Sequence, residues 1–366
     1  MKTIQFISDD KKELEFSETL KKRVNDYFKS NNISQKGNFW MYLKAFILLT
    51  TYILSFVILI LFPIGPWLGI LMAILMGIGE AGIGMSVMHD AAHGAFSKKK
   101  WVNSFFASTM FILGSNVLNW KIQHNLLHHT YTNIYGYDQD ISTKAAIRLS
   151  DHAPLKKYHR FQFIYAFLLY GMMTISKLFS DLTQLLEFNR SGITKAQKRN
   201  GRKEIIVLIL SKIVYFTTLL LLPILFSPFS WWQVLIGFLL MHLTAGIIMS
   251  VIFQMAHVVE GTEQPLPDQN GVIHHDWLVH QLRTTADFAP RNIILNWYVG
   301  GLNFQVEHHL FSNVCHIHYK SIAPRVQRTA AEFGIVYNVK PTFLKAIKSH
   351  VIRLKELGQF REKQVP

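Results

Sequence analysis

Three histidine groups carry the chemistry this chain can perform: His89-x3-His93, His124-x3-His128-His129 and Gln305-x2-His308-His309. Neutral imidazole is a common transition-metal ligand and suits iron. Residues four apart share a helix face, so His89 with His93, and His124 with His128, can each present paired nitrogens. Adjacent helical residues diverge by about 100°. His129 is therefore expected to point away from His128, so that one helix feeds two metals, and His308 with His309 offers the same arrangement. A lone pair of this kind arises by chance. Three groups beside long apolar runs point to a polyhistidine metal centre at a bilayer surface, suited to oxidative chemistry on a lipid. The single cysteine, Cys315, excludes an intrachain disulfide and any Cys-based zinc or iron–sulfur site.

The elements that must position these groups are membrane helices. Of 366 residues, 50% are hydrophobic and 17% charged, below the quarter or so usual in soluble proteins. Mean hydropathy is +0.19. No Asp, Glu, Lys or Arg lies between Lys44 and Glu80, or between Lys212 and Glu260. A span needs roughly 20 apolar residues, so each run holds two, near 45–62, 68–88, 205–226 and 231–253. Pro63, Gly65 and Pro66 turn the first pair; Ser227, Pro228 and Ser230 turn the second. The expected fold is an all-α integral membrane protein, with four transmembrane helices in two hairpins and a cytosolic helical cap that holds the metal centre.

Net charge is +15. The basic residues flank the apolar runs, so anionic lipid headgroups fit better than nucleic acid. Neither turn carries Lys or Arg, whereas Lys21, Lys22, Arg23, Lys98–Lys100, Lys195, Lys198, Arg199, Arg202 and Lys203 lie on the other side. The positive-inside rule then places both termini and all three groups in the cytosol. No cleavable signal peptide is expected. Residues 1–38 read as a cytosolic arm, 39–325 as the membrane and catalytic domain and 326–366 as a cytosolic helical tail. In the arm, Ser17 can cap a helix whose Leu20, Val24 and Phe28 share a face; packing against the protein is expected over lying on the membrane. The apolar stretches 101–118 and 161–179 are expected to be interfacial or partly inserted.

His-Asp-Ala-Ala-His at 89–93, His-Asn-Leu-Leu-His-His at 124–129 and Gln-Val-Glu-His-His at 305–309 together resemble the boxes of the membrane fatty acid desaturases. Gln305 at the head of the third box is similar to the front-end, linoleoyl-CoA desaturase-like type. Thr132-Asn133, Asp138-x-Asp140, Gly300-Gly301-Leu302-Asn303 and Phe253-Gln254-Met255-Ala256-His257 fit too. The resemblance spans about residues 40–325. It implies two non-haem iron ions held by His89, His93, His124, His128, His129, His257, His308 and His309. Gln305 takes a ninth position, which is His in stearoyl-CoA desaturases. An amide oxygen is a weaker donor than imidazole, so Gln305 binds weakly, through water or not at all. Eight or nine donors exceed the four of a closed zinc site, and no catalytic side chain is expected apart from the metal centre.

The resemblance further implies an O2-dependent fatty acyl desaturase of lipid metabolism, which forms a cis double bond. Its acyl substrate is linked to CoA, carrier protein or glycerolipid. Eukaryotic front-end relatives carry a cytochrome b5 domain with His-Pro-Gly-Gly, which this sequence lacks. A separate donor, such as ferredoxin or cytochrome b5, and a bacterial inner membrane are therefore expected. A histidine-rich membrane hydroxylase is the alternative, and a transition-metal transporter a distant one; Gln-x2-His-His favours the desaturase. Asp90, Asn125, Asp138, Asp140 and Glu307 are candidates to orient the ligand imidazoles. Glu80 and His242 lie inside spans, where ionisable groups are functional suspects. Their offsets from His89 and His257, about 13 and 22 Å by helical rise, argue against direct pairing. His152, His159, His274, His275, His280 and His350 are expected to be surface or structural, and His316 and His318 to support the site.

Overall fold

A computed structural model of the chain describes residues 4–142 and 146–359; parts of the expected arm (1–3) and tail (360–366) lie outside them. The architecture is mostly helical. Successive elements are α1 (Lys11–Ser30), α2 (Phe39–Leu61), α3 (Pro66–Ala92) and α4 (Lys100–Ala107). Next, α5 is Val117–Trp120 continued as the π-helix Lys121–His128. The chain goes on through α6 (Lys157–Gly171), α7 (Met173–Arg190), α8 (Gly201–Phe226) and α9 (Trp231–His257). It ends with α10 (Trp277–Thr284), α11 (Gln305–Leu310), α12 (Tyr319–Glu332) and α13 (Phe343–Leu357).

Among the described residues, α2, α3, α8 and α9 are the four helices long and apolar enough to cross a membrane. They match the four expected spans, each a few residues longer at one end or both. The protein is a multi-pass membrane protein. The apolar stretch 161–179 is not one straight span: α6 and α7 meet at a 72° bend. The stretch 101–118 breaks into α4 and a 3-10 turn at Ser108–Phe111.

By compactness the chain divides into two units. One comprises Gly37–Ile122 and Phe167–Ser250 and is the membrane unit. Asn38 caps α2 by accepting from the Trp40 amide, and Pro66 opens α3, where its missing N–H costs nothing. Within this unit α3 is the inner helix, with 72% of its most apolar window buried against 17% for α8. Its glycines make room for neighbouring segments. A Cβ on Gly77 would lie 2.5 Å from the Met241 carbonyl of α9 and 2.7 Å from Thr244 Cβ. The helix ends at Gly94, whose φ of 70° favours glycine and lets the Ala95 amide reach back to the Asp90 carbonyl (2.7 Å).

The other unit comprises Met1–Lys36, Gln123–Ala166 and Val251–Pro366. Asp10, not Ser17, caps α1; Ser17 is buried and donates to Asp276. The α1 stripe Phe16, Leu20, Val24 and Phe28 packs into a core with Leu278 and Leu282 of α10 and Ile322, Val326 and Ala330 of α12. Each such burial contributes roughly 1.5–3 kcal/mol, so the arm packs on protein, as expected. The all-α expectation needs one correction. Two parallel two-residue pairs occur, Gln5–Phe6 with Val272–Ile273 and Asp287–Phe288 with Val339–Lys340. Segments this short carry no periodicity to read; only distant neighbours make them strands.

Candidate metal centre

Six of the eight candidate histidines belong to the second unit, and α5 brings three of them together. Its last two turns are π-helical, with the His129 amide bonded five residues back to the His124 carbonyl (3.0 Å). The π-turn brings His129 close to His124, while His128 and His129 still enter different donor groups. His124 and His128 stack with ring centroids 5.2 Å apart, and the His129 and His124 Nε2 atoms lie 3.2 Å apart. His129 therefore turns inward with its companions. π-Turns recur at functional sites because they re-aim side chains in this way. His257 closes α9, and α11 supplies His308 and His309; all six are buried.

The donor atoms converge into groups that can hold a metal ion. Those of His128, His257 and His309 lie within 4.8 Å of one another, as do those of His129, His308 and His309, and those of His124, His128 and Asp140. His128 Nε2 and His257 Nδ1 are buried without a hydrogen bond. Orphaned buried nitrogens on this scale cost free energy unless something occupies them. The donor set fits a nitrogen-loving transition metal.

The Nδ1 atoms of His128, His308 and His309 are held. His128 Nδ1 donates to Asp138 (3.0 and 3.1 Å), and that carboxylate also accepts from the Asn133 and Asp140 amides (2.8 and 2.9 Å). Burial opposes charge on His128, but Asp138 and Asp140 outweigh it and push the ring up to about 9. Asp140 stands 3.5 and 3.9 Å from His128 and His124 and accepts from Gln123 (2.7 Å). Burial raises its pKa, but His128 and His124 beside it bring it below the usual carboxylate range. His309 Nδ1 donates to Gln281 Oε1 (2.8 Å), whose amide donates to the His129 carbonyl (3.3 Å). His308 Nδ1 meets the Tyr319 hydroxyl at 3.2 Å. Asn133, at φ 59°, ties the loop after α5 to the carbonyls of His257, Glu263 and Thr284 (3.0, 3.1 and 3.0 Å).

The other candidates fall elsewhere. Gln305 donates its amide to His257 Nε2 (2.9 Å), and its own Oε1 has no hydrogen-bond partner. Glu307 touches no imidazole: the Tyr337 hydroxyl meets it at 3.0 Å, beside the buried Asp287. Burial, then Asp287, raises the Glu307 carboxyl well above its ordinary range. Asn125 is half-buried on the π-turn. His280 and His350 are structural, donating to the carbonyls of Thr132 (2.9 Å) and Val258 (2.7 Å).

The membrane unit carries His89 and His93, with ring centroids 4.8 Å apart and Trp120 edge-on to both. Asp90 is buried beside them in sequence. Glu80 and His242 are neighbours after all, Oε1 lying 3.7 Å from Nδ1. The offsets counted from His89 and His257 shared no origin, so they could not exclude contact. His242 is already satisfied, accepting from Tyr215 (2.8 Å) and donating to Thr174 (3.0 Å).

A family model for fatty acid desaturases matches residues 65–341 of this chain. The chain belongs to the fatty acid desaturase family. It is an acyl desaturase, and hence an oxidoreductase. Among its relatives is the sn-1 linoleoyl-lipid 6-desaturase of Arthrospira platensis, 36% identical over 95% of this chain and 94% of the relative. The protein of the same name in Synechocystis is 34% identical over 94% and 96%. An acyl-lipid (8-3)-desaturase of Physcomitrium patens is 32% identical over 94% of this chain and 72% of its own length. The two sn-1 linoleoyl-lipid 6-desaturases are front-end desaturases, the type to which Gln305 pointed.

Gln281 and Tyr319 escaped the sequence reading as site residues. Gln281 alone left a signal: a polar residue among Leu278, Val279 and Leu282 on a buried helix.

Proposed function

We propose that the chain is an O2-dependent front-end desaturase, whose His89, His93, His124, His128, His129, His257, His308 and His309 bind two non-haem iron ions. The observation that carries this is the two buried three-histidine groups that share His309, with the Nδ1 atoms of His128 and His309 pinned, on a chain of this family. Bound iron supplies the redox chemistry by which O2 takes hydrogens from two adjacent methylenes, leaving a cis double bond and water. The protein's part is to hold the imidazoles. Asp138 and Gln281 fix the Nδ1–H tautomers of His128 and His309, leaving Nε2 as the lone-pair nitrogen of each. Gln305 acts on His257 rather than as a ligand: with its amide oxygen and nitrogen exchanged, Oε1 accepts from the His257 Nε2–H and leaves Nδ1, which has no hydrogen bond, as the lone-pair nitrogen.

The names of the relatives support an acyl chain carried on a glycerolipid. The complete absence of Lys and Arg from both short turns supports termini and histidines on the cytosolic side. The spans then form two hairpins beneath a cytosolic helical cap. Expression in a host of defined lipid composition, with fatty acids profiled by mass spectrometry, tests the reading. A new double bond is expected, and its loss in His128→Ala. Hydroxy acids without new double bonds would favour the hydroxylase. Full activity in His128→Ala would sink the ligand assignment, and active protein holding only zinc would sink the iron.

A further inference from the structure

Desaturation balances as –CH2–CH2– + O2 + 2 e− + 2 H+ → –CH=CH– + 2 H2O. The two electrons must enter from outside, and the function proposed above leaves their point of entry open. Helix α12 offers one. On its inner side the buried Tyr319 meets His308 Nδ1 at 3.2 Å. On its outer side stand Lys320, Arg325 and Arg328, with Glu332 its only acid. Helix α1 lies alongside. Arg23 donates to Thr329 (2.9 Å) and pairs with Glu332 (2.7 Å), and Arg325 stacks on Tyr27 at 4.0 Å. Residues 19–30 and 319–332 together hold seven cations against Asp26 and Glu332. A helix is about 10–12 Å across with its side chains, so one helix thickness separates this basic surface from a ligand imidazole.

We infer that the α1–α12 surface docks an acidic, soluble one-electron carrier, which reduces the metal centre across α12. Two reduced carriers each give up one electron per double bond. A membrane surface fits this face less well. An interfacial helix needs an exposed apolar side. Among the described residues, α12 exposes no large hydrophobic side chain, and the apolar stripe of α1 is buried against α10 and α12. Exposed aromatics gather instead in the membrane unit, at Phe39, Trp40, Trp101 and Phe105.

The test uses iron-loaded protein in phosphatidylcholine nanodiscs. It is driven either by a reduced acidic [2Fe–2S] ferredoxin or by dithionite-reduced methyl viologen. For Lys320→Glu with Arg328→Glu, ferredoxin binding to the nanodiscs, read by surface plasmon resonance without turnover, should weaken about tenfold, and the ferredoxin KM should rise alike at unchanged kcat. Viologen-driven turnover should stay at the wild-type level, and the wild-type ferredoxin KM should rise with salt. An unchanged ferredoxin KM overturns the proposal. So does an equal loss under both reductants, or a defect that appears only when phosphatidylglycerol is added. If the double variant does not fold, Lys320→Ala with Arg328→Ala carries the same test with a smaller shift. Wild-type protein that forms no double bond even with viologen overturns the desaturase function itself, and the docking proposal with it.

Discussion

At the scale of single residues, the site depends on amides and carboxylates that are not ligands. Gln281 holds His309 by one hydrogen bond and the His129 carbonyl by another. Gln281→Leu should lower iron content per chain, and turnover with it, by about ten- to a hundredfold. Gln281→Glu keeps the acceptor and should retain most of the metal; iron analysis with turnover assays reads both. His350 supports the fold rather than the metal. Burial holds its ring down at about 4, despite its bond to Val258, against about 6.5 when unfolded. Above pH 6.5 neither state is protonated, and the stabilisation is complete. As pH falls from 6.5 to about 4, only the unfolded chain takes the proton. Stability drops there by roughly 1.4 kcal/mol per pH unit. Thermal unfolding of His350→Gln should show a shallower slope in that window.

Among the elements, α3 does two things at once. Its glycine face admits α9, and its end delivers His89 and His93 through a π-turn at Ile83–Met88. Gly77→Leu would push a side chain into the Met241 carbonyl and should destabilise the protein by about 1–3 kcal/mol. Thermal unfolding in detergent measures this directly. The spans were legible in the sequence because charge-free runs of membrane length have few other readings. The π-turns were not. An α-helix and a π-turn carry the same residues, and the choice between them comes from packing. The inward turn of His129 is the consequence.

At the scale of the whole molecule, topology is the open quantity with a direct measurement. Ser230→Cys, in a turn without Lys or Arg, should be labelled by an impermeant thiol reagent added outside intact cells. Lys21→Cys, on α1, should be labelled only after the membrane is permeabilised. Native Cys315 is buried and contributes little background. Labelling of Lys21→Cys from outside, with Ser230→Cys protected until permeabilisation, would reverse the charge-based orientation.

By itself the sequence determined the class of protein, the four spans, the family and the candidate metal donors. Charge-free length, positive asymmetry and box spacing are local properties that need no partner to be read. Only the tertiary structure decided what stands behind the three histidine groups. Gln281 and Tyr319 reach their imidazoles from 28 and 11 residues away, and Glu307 turns to Tyr337 instead of a histidine. The same holds for Glu80 and His242, brought together by packing of α3 against α9. Contacts between distant residues depend on where helices cross, and no count of residues along one chain supplies that.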